Sequence, residues 1–293
     1  MHRFRQSYRP YAILPVACLL LAAVVAGAAN GDERPLPDLT TFAQKVRERL
    51  REDRRLLAQY SYMERREEID ISSLGGVSVG PVKVYEVYPS LEPGNTWKRL
   101  IAVDGEPLSP EELAENDREH QEHLRERARE SPRERRRRLA REEKERREEE
   151  ATIDEAFNLY EITLVGREML NGYPTIVATL EPKPDYRPRT EDGKWMKKVR
   201  GRAWVHEFDH ELVKLEVEVM EDITVAWGLI GRIHKGARAL LERTKVNDEI
   251  WLPKRTWVDA SGRTLVFRAF DIEATTEWWD YKKSRPATAA TLQ

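Results

Sequence analysis

The sequence has almost no cysteine: a single one, Cys18, among 293 residues. Three arginines precede the apolar run from Ile13 to Val25, and Ala26-Gly27-Ala28 follows it as an A-x-A cleavage site, the layout of a secretory signal peptide. The apolar run continues past Cys18, which favours cleavage of residues 1–29 over lipidation of that cysteine. The mature chain is therefore expected to be an exported, periplasmic protein without disulfides, stabilised by its core.

Long hydrophobic runs are also lacking. A transmembrane helix needs roughly 20 apolar residues, and the run from Ile13 to Val25 is shorter than that. No later stretch of the sequence is as apolar, so we expect peripheral membrane contact at most. Loss of the leader arginines makes the mature chain mildly acidic, which argues against nucleic acid as a partner.

Motifs for enzyme chemistry are missing as well. The sequence contains no G-x-S-x-G nucleophile elbow and no G-K-[ST] phosphate loop, and the mature chain has no thiol. We therefore expect no enzymatic activity, no catalytic residue, no cofactor and no metal. One pattern points the other way, because residues 206–210 spell H-E-x-x-H.

The H-E-x-x-H motif binds zinc when a helix places both histidines on one face. Here Val213, Leu215, Val217 and Val219 alternate with polar residues, which is the period of a strand. On a strand, two residues four apart have backbones roughly 13 Å apart and cannot share one ion. The pattern predicts a β-hairpin whose tip carries solvent-exposed histidines, and a zinc hydrolase acting through His206, Glu207 and His210 remains the remote alternative.

Hydrophobic periodicity predicts one amphipathic helix followed by many strands. The helix begins at Asp38, a favoured N-cap residue, and its apolar stripe runs from Leu39 to Leu57. Asn171-Gly172 and Asn247-Asp248 are turn signals. About eleven strands are predicted, at 60–66, 82–88, 96–103, 160–165, 173–180, 201–208, 212–220, 237–246, 249–258, 264–270 and 272–281, with a turn at 259–262.

The segment 109–150 has a different character. Ser109-Pro110-Glu111-Glu112 and Ser131-Pro132-Arg133-Glu134 are both capping boxes with proline at the first helical position. They predict two helices that meet near Pro132. Most residues between 131 and 150 are charged, with Glu and Arg at four-residue spacing. Such helices have little apolar surface to bury, so the segment is expected to be an exposed, solvated excursion.

Three strand segments share a pattern with a known family: Gly172–Lys183, the hairpin formed by Arg202–Val205 and Leu212–Glu216, and Trp251-Leu252-Pro253. They resemble the LolA/LolB-like family of periplasmic lipoprotein carriers. The resemblance covers about residues 36–106 and 155–283, and the charged insertion departs from it. It implies an α+β fold in which a large curved antiparallel sheet forms a half-barrel. The N-terminal helix would lie on the concave side, over an apolar cavity for acyl chains, and the family carries no catalytic residues.

The predicted organisation is a signal peptide at 1–29, a single domain at 30–283 with the charged insertion at 109–150, and a flexible tail at 284–293. A sheet this large must hide an apolar face, yet only one clearly amphipathic helix is available to cover it. Strand residues that are candidates for lining a cavity for lipid or lipoprotein acyl chains are Tyr62, Tyr85, Trp97, Ile101, Val177, Trp204, Leu215, Val217 and Phe267.

The expected function is a periplasmic carrier or binding protein for a lipidated protein or another apolar ligand. The main alternative is an envelope sensor or adaptor that binds another protein through the charged helices and carries no lipid.

Overall fold

A computed structural model describes residues 34–72, 76–90, 96–226, 230–264 and 268–283. The predicted leader at 1–29 and the predicted tail at 284–293 lie outside these ranges, and so does Phe267. Both segment assignments stay predictions.

The described part of the chain forms four helices. Each predicted cap is present: Asp38 accepts from the backbone N–H of Thr41 at 2.9 Å, and Ser109 and Ser131 each form a complete capping box with the glutamate three residues later. The charged segment therefore forms two helices that meet at Pro132, as predicted. The helices are α1 (Leu39–Leu57), α2 (Pro110–Ala128), α3 (Pro132–Leu159) and α4 (Glu191–Met196).

Within the described ranges, thirteen strands join in one sheet. They are β1 (Tyr60–Ile71), β2 (Val77–Tyr88), β3 (Trp97–Val103), β4 (Glu106–Pro107), β5 (Tyr160–Leu170), β6 (Tyr173–Pro182), β7 (Val199–His206), β8 (Leu212–Val219), β9 (Ile223–Ala226), β10 (Ile230–Ile233), β11 (Arg238–Val246), β12 (Ile250–Thr264) and β13 (Ala269–Lys283).

The chain enters this sheet near its middle. From β1 it runs outward through β2 and β3 to β4 at one edge, and after α2 and α3 it re-enters at the opposite edge with β5. It then returns through β6, β7, β8, β11 and β12 to β13, which pairs with β1. The edge strands β4 and β5 do not pair with each other in this order, so the sheet stays open. The predicted α+β fold with a large antiparallel sheet is confirmed.

Two of the predicted turns form as expected. Asn171 and Gly172 have φ values of 52° and 83°, and Asn247 and Asp248 have values of 52° and 55°. Positive φ at both central residues is the geometry of the type I′ hairpin turn, which matches the twist of the flanking strands.

The turn predicted at 259–262 is wrong. These residues continue β12, and Asp259 to Gly262 pair in register with Phe270 to Glu273 of β13. A side chain at Gly262 would lie 2.2 Å from the carbonyl oxygen of Arg232, so glycine is needed there for the close approach of β10. The short hairpin of β9 and β10 and the helix α4 were not predicted, because their apolar runs are too short to show a period.

Buried apolar side chains lie mainly on the face of the sheet that α1 covers. Phe42 and Val46 of α1 pack on β6, β7 and β8, and a second cluster extends across β8, β11, β12 and β13 under the β9–β10 hairpin. The side chains of the first cluster are in contact beneath the first half of α1. The contact residues on the sheet are Ile176, Ala203, Val205 and Leu212 for α1, and Val217, Val219, Ala239, Ala260 and Ile272 for the second cluster.

The charged excursion is largely solvated, as predicted. No residue of α2 is buried, and α3 buries only Glu155 and Leu159 near its C-terminal end. Glu155 accepts hydrogen bonds from the backbone N–H groups of Arg189 and Thr190 and thereby fixes the loop before α4. The rest of α3 extends from the domain, supported by ion pairs such as Arg138 with Glu130 at 2.9 Å.

Candidate functional site

The side chains on the face under α1 change character between the two halves of the sheet. Around β1, β3, β12 and β13 the aliphatic packing gives way to a small hollow lined by aromatic and charged groups, with a volume of about 30 Å³. We call this space the aromatic hollow. It is lined by Leu57, Tyr62, Glu64, Arg66, Lys98, Pro253, Trp278 and Tyr281.

The floor of the aromatic hollow is a buried carboxylate. Glu64 is 1 % exposed. Both of its oxygens accept from Lys98 Nζ, at 2.8 and 2.7 Å, and Oε2 also accepts from Trp278 Nε1 at 3.0 Å. Arg66 Nη2 lies 2.8 Å from Oε1. A buried charge is tolerated when it is paired and hydrogen-bonded in this way.

The strand register explains why these groups meet. Residues two apart on β1 lie on one face, which brings Tyr62, Glu64 and Arg66 into a row. Glu64 is opposite Trp278 on β13 on one side and opposite Tyr85 on β2 on the other.

Aromatic rings form the walls of the hollow. The rings of Tyr62 and Tyr281 are 5.3 Å apart, and the Tyr281 hydroxyl donates to the carbonyl of Pro253. Tyr85 lies beside Glu64 on the same face and donates to Glu68 at 3.1 Å. Burial, followed by the negative charge of Glu68, raises the pKa of Tyr85 above its ordinary value, so its hydroxyl remains a neutral donor at physiological pH.

Burial lowers the pKa of Lys98, while the charge of Glu64 acts in the opposite direction and favours the ammonium form. The ammonium group is therefore partly desolvated, and the Glu64 carboxylate holds it through both oxygens. The hollow therefore brings aromatic rings, aliphatic carbon and charged groups together around one small space of about 30 Å³.

The candidate lining residues lie on both faces of the sheet. Tyr62 lines the hollow and Tyr85 adjoins it, while Leu215 and Val217 belong to the close-packed aliphatic core. Val177 and Trp204 pair with each other across β6 and β7, and their sequence neighbours face α1, so both point to the opposite face.

The two candidates on β3 lie elsewhere again. Trp97 stacks between Tyr88 and His120 of α2, with centroids 5.3 and 4.2 Å away. Ile101 lies at a bulge, because Tyr85 pairs with Leu100 and Val84 with Ala102. The eight candidates within the described residues are thus not gathered in one cavity.

Sequence reasoning missed Glu64, Arg66 and Lys98, and the signal that could have found the first two is their alternation with Tyr62 on one strand. Adjacent residues on a strand, such as Trp278 and Trp279, point to opposite sides of the sheet. Trp278 does line the hollow, whereas Trp279 is 42 % exposed.

The H-E-x-x-H segment is the tip of a hairpin, as predicted. β7 ends at His206 and β8 begins at Leu212. The prediction of solvent-exposed histidines is wrong for His206, which is 7 % exposed. Its ring lies 5.4 Å from that of Trp251, and its Nδ1 accepts from the backbone N–H of Asp209 at 3.0 Å. The strand alternation could not show this, because the aromatic residues that cover His206 come from distant strands.

The three motif side chains have separate partners. Glu207 pairs with Arg167 at 3.0 Å, and the His210 ring lies 5.3 Å from that of Phe42 on α1. Burial lowers the pKa of both histidines. Within the described ranges, no group of three His, Cys, Asp or Glu side chains is placed to hold a metal ion, so the structure gives the zinc hydrolase alternative no support.

Among the described helices, none combines the length and apolar character needed to cross a membrane.

No family model and no curated protein matches the chain. Similar solved structures include a DUF1329 family protein from Desulfovibrio piger, which is 12 % identical in sequence. The match covers 88 % of this chain and 96 % of that chain, with a TM-score of 0.30. A proposed outer membrane lipoprotein-sorting protein domain from Vibrio parahaemolyticus has 9 % identity, covers 86 % of this chain and 95 % of its own, and has a TM-score of 0.27. The structure of the MucA/MucB complex of Pseudomonas aeruginosa has 10 % identity to this chain. The match covers 84 % of this chain and 99 % of that one, with a TM-score of 0.23.

These neighbours thus include a domain of the kind that the strand motifs resemble. Identities of 12 % and below, with TM-scores of 0.30 and below, do not assign this chain to a family.

Proposed function

We propose that this chain is a non-enzymatic carrier or binding protein of the periplasm that holds an apolar ligand, such as a lipid or the acyl chains of a lipoprotein. The observation that carries the proposal is the aromatic hollow, where the half-buried rings of Tyr62, Trp278 and Tyr281 surround a space that the aliphatic core does not fill. Aromatic walls with a few convergent polar groups are typical of ligand sites.

Transfer of an acyl chain into such a site needs no covalent chemistry. Each buried CH₂ group contributes about 0.8 kcal/mol, so a chain of moderate length is held firmly but reversibly. At about 30 Å³ the hollow has room for about one water-sized group. Uptake of a chain therefore requires the side chains around it, including Leu57 at the end of α1, to move apart.

Export to the periplasm rests on the leader-like sequence at 1–29. A carrier in that compartment meets the acyl chains of lipids and lipoproteins directly.

Replacing Trp278 by alanine is expected to weaken binding of a fluorescent fatty acid by about tenfold, because loss of a ring contact costs on the order of 1 kcal/mol or more. Trp279→Ala is the matched control, since the neighbouring ring is exposed on the other face. It should change the affinity by less than about twofold. Fluorescence titration of the purified chain measures both.

Native mass spectrometry of protein purified from a membrane-containing host tests the proposal itself. A single mass equal to the bare chain, with no lipid taken up when vesicles are added, contradicts a carrier. Equal affinities for the Trp278→Ala and Trp279→Ala variants would place the ligand away from the hollow.

A second candidate function is an adaptor that binds another envelope protein through α2 and α3. The observation that favours it is the extent of this excursion: α3 has 28 residues and is about 42 Å long, and it packs on the domain mainly through its C-terminal end. A helical pair of this kind offers a long charged surface to a partner protein.

Replacing residues 109–150 by a flexible Gly/Ser linker, long enough to join the opposite sheet edges at β4 and β5, separates the two functions. We expect the shortened chain to retain fatty-acid binding within about twofold, because the hollow contains no residue of this segment. If fatty-acid binding is unchanged but cross-linking to an envelope protein in the native host is lost, the excursion is a docking element. Loss of fatty-acid binding in a folded variant contradicts the carrier assignment of the hollow.

A further inference from the structure

The lining of the aromatic hollow carries more positive than negative charge. Among its eight residues, Arg66 and Lys98 are cationic and Glu64 is the only anion. Glu64 already accepts from Lys98 and Trp278 and forms an ion pair with Arg66, so both of its oxygens are occupied. Among the described side chains around the hollow, one positive charge is left without a counterpart.

The neighbouring charges do not cancel this excess. The charge of Glu68 also acts on Lys98, but Lys83 lies 3.9 Å from Glu68, so the carboxylates of Glu64 and Glu68 are still outnumbered by the three cations Arg66, Lys98 and Lys83. Glu86 lies on the opposite face of β2, where it pairs with Arg99 at 3.1 Å. The cationic groups remain accessible from the hollow: the side chains of Arg66 and Lys98 are 21 % and 29 % exposed, whereas that of Glu64 is 2 % exposed.

Arg66 has donors to spare. A guanidinium carries five N–H donors in a planar fork that matches the oxygens of carboxylate or phosphate, and its ion pair with Glu64 is made through Nη2. An anion entering the hollow would meet this fork and the ammonium group of Lys98 in a partly desolvated place, where charge-assisted hydrogen bonds are stronger than in water.

From this arrangement we infer that the aromatic hollow binds the anionic headgroup of an amphiphile, a carboxylate or a phosphate, through Arg66 and Lys98, with the apolar chain against Tyr62, Trp278 and Tyr281. The inference rests on the proposed carrier function and names its ligand class. A cationic headgroup is disfavoured by the excess positive charge. A neutral headgroup would leave Arg66 and Lys98 with Glu64 as their only counter-ion among the lining residues.

Dodecanoate and dodecanol are a matched pair for the test, since they share one chain and differ in headgroup charge at neutral pH. We expect the full chain to bind dodecanoate at least about tenfold more tightly than dodecanol, because hydrogen bonds to charged groups contribute about 1.5–3 kcal/mol and 1.4 kcal/mol is a factor of ten. Isothermal titration calorimetry measures both affinities. Acetate, which has the same carboxylate but no long apolar chain, is the control ligand.

Arg66→Gln should reduce the preference for dodecanoate over dodecanol to less than about threefold, because it removes a charged donor to the headgroup. Arg65→Gln is the matched control, because the adjacent arginine lies on the opposite face with Glu67 and Glu277. It should keep the full preference. Arg66→Lys retains the positive charge and should restore most of the preference for dodecanoate. A purely structural role of the guanidinium would not produce this recovery.

The outcomes separate the two levels of the hypothesis. If the chain binds neither dodecanoate nor dodecanol, the carrier function itself is wrong. Equal affinity for the two ligands overturns the anionic headgroup site and leaves the carrier function intact. Acetate binding as tight as dodecanoate binding also overturns the inference, since the site would then take a free anion and not an amphiphile.

Discussion

Glu64→Leu is expected to lower the free energy of unfolding by about 3 kcal/mol. The carboxylate is 1 % exposed and holds Lys98 through both of its oxygens. Its removal leaves the ammonium group and the Arg66 guanidinium without their shared partner, and an uncompensated charge is costly where water is scarce. Both cations retain some exposure to solvent, which keeps the loss at the lower end of the range for buried pairs. Urea unfolding followed by circular dichroism measures the effect.

Two variants identify the cause of that loss. Glu277→Ala removes a carboxylate on the opposite face, 3.7 Å from Arg65 and 46 % exposed, and should cost less than about 0.5 kcal/mol. Lys98→Met in the Glu64→Leu background removes the stranded charge and should recover at least about 1 kcal/mol. If the double variant is no more stable than Glu64→Leu alone, the unpaired ammonium group is not the source of the loss.

The local rules of the sequence were enough for most elements of this fold. The capping boxes at Ser109 and Ser131 correctly predicted where α2 and α3 begin. The pairs Asn171-Gly172 and Asn247-Asp248 correctly predicted two hairpin turns. These signals act within a few residues, and at these positions the tertiary structure agrees with them. Asp259 to Gly262 has the composition of a turn, but it is paired with β13, and that pairing depends on a strand distant from the local pattern.

The site was harder to predict because its residues come together only through the register in which the strands pair. Glu64, Lys98 and Trp278 come from three strands that are far apart in sequence. Alternation alone does not fix which face is covered, and bulges change the face within a strand. On β1 the register shifts between Glu67 and Ile69, so Ile69 packs in the aliphatic core while Glu68 bonds to Tyr85 beside the hollow. A single-residue shift of this kind leaves no signal in the sequence.

The second large effect is expected at the other end of the same face, where α1 is fixed to the sheet. Phe42 is 5 % exposed and packs with Ile176, Ala203 and Val205. Phe42→Ala should lower the free energy of unfolding by about 3 kcal/mol, since it removes a buried ring and leaves a cavity. Leu39→Ala, on the same helix but 38 % exposed, should cost less than about 1 kcal/mol.

Phe42→Ala also tests whether α1 controls access to the ligand. The helix ends at Leu57, which lines the aromatic hollow, so a helix held less firmly at its start should allow the hollow to open more often. We expect amide hydrogens of α1 to exchange faster in this variant than those of β7 and β8, and fatty acid to be released several-fold faster than from the Leu39→Ala variant. Uniformly faster exchange across helix and sheet, with unchanged ligand release, would show that Phe42 supports the whole domain and that α1 does not act as a cover.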